Sequence, residues 1–89
     1  MSKSLMISTA AAQPAGQPFV VLVFTGDLGK VPVTLKQTDG PTPLWPADTQ
    51  PSSQGSVRFT VTIAAPGWAV FEAKAEGYES DAKTVRIYG

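Results

Sequence analysis

The sequence predicts an all-β chain folded as an antiparallel two-sheet sandwich of about seven strands, on three observations. Apolar residues recur with a period of two in several short runs. The clearest is Trp68 to Glu76, where Ala69, Phe71, Ala73 and Ala75 alternate with Trp68, Val70, Glu72, Lys74 and Glu76. Turn signals built from Gly, Pro, Asp and Ser fall about every ten residues. No stretch has the 3.6-residue apolar period of a helix.

Taken in order, Ser4 to Ser8 reads as a short first strand. Lys3, Leu5-Met-Ile7 and Ala10-Ala-Ala12 follow one another as in a signal peptide, but three apolar residues broken by Ser8 and Thr9 are too few for one. Residues 1–17 are therefore expected to form a strand and a flexible arm through Pro14 and Gly16, and residues 18–89 the core of a single-domain sandwich. Phe19 to Phe24 is β-branched and aromatic, the composition of a central strand, and Thr25-Gly-Asp-Leu-Gly-Lys30 turns it. Val31, Val33 and Leu35 alternate with Pro32, Thr34 and Lys36, and Pro32 places the start of that strand at an edge or a bulge.

From Asp39 to Gln54 the alternation fails, and Pro41, Pro43, Pro46 and Pro51 predict a long loop. That loop carries Trp45, whose indole either folds over a core edge or faces a partner. Val57, Phe59, Val61 and Ile63 then alternate with Arg58, Thr60 and Thr62 up to a type II turn at Ala65-Pro-Gly67. The last strand runs from Ala82 to Tyr88. A hairpin turning at Glu79 would set Phe71 opposite Ile87 and Ala73 opposite Val85 inside, with Glu72 opposite Arg86 and Val70 opposite Tyr88 outside.

Composition narrows the function. At 89 residues the chain buries roughly 60 to 65 percent of its unfolded surface, enough for one small core. Seven basic residues balance seven acidic ones, so no net field draws it to nucleic acid or an anionic membrane, and no window is long and apolar enough for membrane insertion. With neither cysteine nor histidine, disulfides, thiolate metal sites and imidazole catalysis are all closed to it. Thr25 to Lys30 has glycines too closely spaced for a phosphate loop and no Ser or Thr after the lysine. Asp27, Asp39, Asp48, Glu79 and Asp81 fall in expected loops without calcium-ligand spacing. The chain is not expected to be an enzyme, and no cofactor or metal is expected.

Gly55-Ser-Val-Arg-Phe-Thr-Val-Thr-Ile63, Ala65-Pro-Gly67 and Phe71-Glu-Ala-Lys-Ala-Glu-Gly-Tyr78 resemble the last three strands of bacterial and phage immunoglobulin-like domains. Phe24-Thr-Gly-Asp-Leu-Gly-Lys-Val-Pro-Val-Thr-Leu35 is similar to an earlier part of the same family. The resemblance implies an immunoglobulin-like sandwich serving as a phage virion decoration, docked on a capsid, tail or surface assembly protein and aiding attachment to the host. A chain starting at Met1 with no export signal fits a separate assembly component, made in the host cytoplasm and located in the virion. The alternative is a carbohydrate- or surface-binding adhesion module of a larger bacterial protein, extracellular or at the cell surface. In that reading Trp45, Trp68 or Tyr88 stacks on a host-surface glycan.

Two surfaces are candidate binding sites. Trp68, Val70 and Tyr88 share the outward face of the last hairpin, which is either open to a partner or capped by the terminal segment or the proline loop. Phe19 to Phe24 is apolar on both faces, so Val20, Leu22 and Phe24 are either covered by the N-terminal arm or meet another subunit or protein, self-association included. On the inward side, Phe71 is the one bulky group among alanines. Phe71→Ala is expected to cost roughly 3 to 5 kcal/mol, read from the shift in urea denaturation.

Overall fold

The computed structural model describes residues 3–89. Its strands are β1 (Lys3–Ser4), β2 (Met6–Ser8), β3 (Ala12–Pro14), β4 (Phe19–Phe24), β5 (Pro32–Asp39), β6 (Asp48–Pro51), β7 (Ser56–Val61), β8 (Gly67–Lys74), β9 (Tyr78–Glu79) and β10 (Asp81–Tyr88). A five-stranded sheet in the order β3-β10-β8-β5-β6 faces a three-stranded sheet in the order β2-β4-β7, and β1 pairs with β9 at one end. Pairing is antiparallel except at β1 with β9 and β3 with β10, which run parallel. The architecture is the expected all-β, immunoglobulin-like two-sheet sandwich.

Period-two alternation builds this core. Val21, Val23, Val57, Phe59 and Val61 point from the three-stranded sheet toward Val33, Leu35, Ala69, Phe71, Ala73, Val85 and Ile87 of the other, all buried. Phe71 is fully enclosed. Phe19 meets it edge-on with ring centroids 6.3 Å apart, and Trp45 does the same at 6.4 Å, so the small neighbours Ala69 and Ala73 leave room for three rings at one level.

Three local expectations are corrected. The last hairpin turns at Gly77 rather than Glu79. Tyr78 N–H donates to Ala75 C=O (3.1 Å), and Gly77 occupies the third turn position with φ 82°, a conformation that suits glycine. The register is thereby displaced by four residues, with Phe71 opposite Lys83, Val85 opposite Ala69 and Arg86 opposite Trp68. An even displacement leaves every side chain on its expected face.

The proline-rich stretch is the second correction. It contains an edge strand, β6, which pairs with β5 from Leu35↔Asp48 to Pro32↔Pro51. The two prolines lie opposite each other at the end of the ladder, where neither missing donor interrupts it. Third, Ala12–Pro14 within the expected flexible arm forms β3, held by Arg86 N–H to Ala11 C=O (2.8 Å) and Ala15 N–H to Tyr88 C=O (2.7 Å). Leu5 and Ile7, earlier in the same segment, are buried in the core.

The loop after β5 is set by a buried amide. Gln37 donates from Nε2 to the carbonyls of Asp39 and Pro41 (both 3.1 Å) and accepts from Trp45 N–H at Oε1 (2.7 Å). These bonds seat Trp45 against Phe71. Where β5 bulges after Gln37, Gly40 adopts φ 115° and lies against the β8 backbone. A Cβ there would collide with the Trp68 carbonyl and stand 2.8 Å from Ala69 Cα. Gly40→Ala is expected to destabilise the domain by about 2 kcal/mol or more in chemical denaturation, combining that clash with the positive φ. Gly16→Ala, at φ 76° with open space around it, isolates the conformational part.

Candidate functional site

Trp68 and Arg86 are direct cross-strand neighbours on β8 and β10, and Tyr88 follows Arg86 on the same outward face. Trp68 is 63% exposed and Tyr88 46%, with Val70 half-buried beside them. The backbone beneath is held from both sides. The Gly40–Pro41 segment packs under the start of β8, where Gly67 approaches the Pro41 ring, and β3 pairs with β10 as far as Tyr88↔Pro14. Neither the terminal segment nor the proline loop caps the indole. Further along the face, Glu72 lies 3.4 Å from the Lys74 ammonium and 4.0 Å from that of Lys36. The expected Glu72–Arg86 pair is absent, since the true register sets Glu72 opposite Ala82 and leaves Arg86 exposed next to Trp68.

The remaining candidates separate. Trp45 is turned inward onto Phe71 with its backbone N–H bound by Gln37, so it belongs to the core edge and not to the Trp68 face. Val20, Leu22 and Phe24 lie on the outer face of the other sheet. There β2 adds beside β4 rather than folding over it, pairing Met6 with Phe24 and Ser8 with Leu22. Val20 (42%) and Met6 (57%) are exposed, while Leu22 and Phe24 are half-buried. Met6 joins this stripe only through that edge pairing.

A polar cluster closes the opposite end of the sandwich. Lys3 Nζ and Tyr78 Oη both donate to Asp27 Oδ2, at 2.7 and 2.8 Å, and the ammonium lies 5.6 Å from the centre of the Tyr78 ring. Thr25 Oγ1 accepts from Asp27 N–H (3.2 Å) and shapes the turn that presents the carboxylate. Beside Tyr78 an open groove of about 510 Å³ runs between Val31–Pro32 and Lys74–Glu76, beyond the last β5–β8 pair, Thr34↔Lys74. Tyr78 directs its hydroxyl to Asp27. These charges join the N-terminal strand, the 25–30 turn and the β8–β10 turn, a link between distant segments that spacing along the chain does not signal.

The donors present limit the chemistry. The sequence holds no cysteine or histidine, and among the described residues no three acidic groups converge as metal ligands. Among the same residues no helix is long and apolar enough to cross a membrane. What the geometry defines is an immunoglobulin-like sandwich with an exposed aromatic and cationic face.

No protein-family model and no curated protein sequence matches the chain. Among solved structures it is similar to superoxide reductase (neelaredoxin) from Ignicoccus hospitalis, with TM-score 0.70 and 16% identity over 98% of this chain and 82% of that one. A variant of that protein gives TM-score 0.73 at 17% identity over the same shares. The sulfur carrier protein SoxY from Chlorobium limicola f thiosulfatophilum gives 0.61 at 18% identity, covering 99% of this chain and 82% of SoxY. At this identity the likeness is one of fold.

These similarities correct the expected kinship with bacterial and phage immunoglobulin-like domains. With it go the virion-decoration role and the alternative of a glycan-binding adhesion module. The similar structures are a reductase and a sulfur carrier. The strands that suggested the kinship are those any two-sheet sandwich requires, so they specify architecture without lineage.

Hydrogen bonds from Lys3 and then Tyr78, with the nearby ammonium charge, hold the Asp27 carboxyl below the usual carboxylate range. The bond to Asp27 holds the Lys3 ammonium and the Tyr78 phenol above theirs. The depressed carboxylate contributes stability above about pH 4, lost as pH falls through its folded value. The raised Lys3 and Tyr78 contribute below about pH 10, lost as pH rises through theirs. Thermal melting from pH 2 to 11 is expected to show a plateau falling at both ends, and Asp27→Asn is expected to lower the plateau and shrink both falls.

Proposed function

We propose that this chain is a non-catalytic interaction module that takes a protein partner on the outer face of its five-stranded sheet, at Trp68, Arg86, Val70 and Tyr88. One observation carries the reading. Trp, Tyr and Arg are the residue types enriched at the energetic centres of protein interfaces, and here one of each projects together from adjacent, backbone-paired strands. Rigid strands present these side chains at little ordering cost. With Arg86 beside Trp68 and Lys36 and Lys74 flanking Glu72, the complementary surface is apolar at its centre and acidic at its rim.

The names of the similar structures point elsewhere, to superoxide reduction and sulfur carriage. Covalent sulfur carriage calls for a thiol, and this chain has none; it also lacks the thiolate and imidazole groups that commonly hold redox metals. Protein recognition on a common scaffold fits its residues better.

The test is affinity capture followed by titration of the captured partner. Trp68→Ala and Arg86→Ala are each expected to weaken binding by about 2 kcal/mol, roughly thirtyfold, without lowering the melting temperature. Leu28→Ala, which truncates an isolated residue 84% exposed on a turn, is expected to change nothing. A partner that binds Trp68→Ala and wild type equally would sink the proposal.

A further inference from the structure

The two main sheets have four edges, β3 and β6 on one and β2 and β7 on the other. Strands β2 and β3 are three residues long and β3 ends in Pro14, while β6 is four residues long and ends in Pro51. Short strands and prolines are the devices that stop edges from pairing with other chains. Strand β7 has six residues, Ser56 to Val61, with no proline, lysine or bulge. Of the four edge strands it is the longest, with Arg58 as its one charged residue.

Its hydrogen-bonding pattern is legible from the ladder. Thr25 N–H donates to Gly55 C=O (2.8 Å), and Phe24↔Ser56 is the next pair along. Exchanging pairs alternate in an antiparallel ladder, so Val57, Phe59 and Val61 turn their amide groups toward β4 while Ser56, Arg58 and Thr60 turn theirs away. Ser53 already takes those of Ser56, through Ser53 N–H to Ser56 C=O (2.8 Å) and Ser56 N–H to Ser53 C=O (3.3 Å). That leaves Arg58 and Thr60, both exposed and equally spaced about Phe59.

We propose that two copies of this chain associate through β7, antiparallel about a twofold axis at Phe59, so that Arg58 of each copy pairs with Thr60 of the other. The two available residues match each other under that symmetry and exchange their outward N–H and C=O groups reciprocally. Arg58 meets a threonine, not its own charged counterpart, and the zero net charge of the chain sets up no long-range repulsion between copies. The product is one continuous sheet, β2-β4-β7 joined to its mate, and its contact lies away from Trp68, on the other sheet.

Sedimentation equilibrium from micromolar to millimolar concentration is expected to give a dimer. Thr60→Pro removes an outward donor where an edge strand tolerates proline, and is expected to raise the dimer Kd at least about tenfold with the strand circular dichroism retained. Trp68→Ala is expected to leave the dimer mass unchanged, which separates this inference from the partner face. Because the chain has no native cysteine, an Arg58→Cys/Thr60→Cys double variant, oxidised in air, also reports the register. Disulfides joining position 58 of one copy to 60 of the other are expected by mass spectrometry, and they decide the matter even if Thr60→Pro fails to fold. A wild-type chain that stays monomeric at millimolar concentration, or cross-links confined to 58–58 or 60–60, overturns the proposal.

Discussion

The edge-on contacts of Phe71 with Phe19 and Trp45 hold together three parts of the chain that lie far apart in sequence. Phe19 brings in the three-stranded sheet, Phe71 the five-stranded sheet, and Trp45 the long loop after β5. In a chain without cysteine, buried apolar area has to supply the cohesion that small domains often draw from disulfides. The alanines on either side of Phe71 follow from this. A larger residue at 69 or 73, both fully buried, would overfill the core at this level.

The aromatic cluster is secured by polar geometry behind it. Gln37 is the only buried side chain among the described residues with two amide donor contacts, both to loop carbonyls, and its acceptor holds Trp45 N–H. Removing that amide would leave three part-buried backbone groups without their partner. At the other end Ser52 bridges two segments, donating to Gly29 C=O (3.2 Å) and accepting from Val31 N–H (2.9 Å). Asp81 does similar work for β2, accepting from Ile7 N–H at 2.8 Å. Each lets an irregular segment lie against the core with its peptide groups bonded.

The core was legible in the sequence because a period of two assigns each residue to a face whatever its partner. Phe71, Val85, Ile87, Val57, Phe59 and Val61 are all buried as alternation requires. Partnership was less legible. The turn at Gly77 differs from one at Glu79 by two residues, and that difference moved Arg86 from Glu72 to Trp68. Strand β6 escaped notice because prolines argue against central strands and say little about the ends of an edge strand. Trp68 and Tyr88 were placed outward from the sequence, whereas Trp45 needed the Gln37 hydrogen bonds to settle between core and partner.

The parallel pairing of β3 with β10 also governs how that part of the domain answers a pull. Its bonds, Arg86 N–H to Ala11 C=O and Ala15 N–H to Tyr88 C=O, link a segment near one end of the chain to a strand near the other. Because the two strands run in the same direction, tension applied at Ala12 and Tyr88 slides them past one another and loads their bonds together. An antiparallel terminal pair would open one bond at a time. Between those two points the sandwich resists stretching in shear, its short β3–β10 patch breaking as a unit.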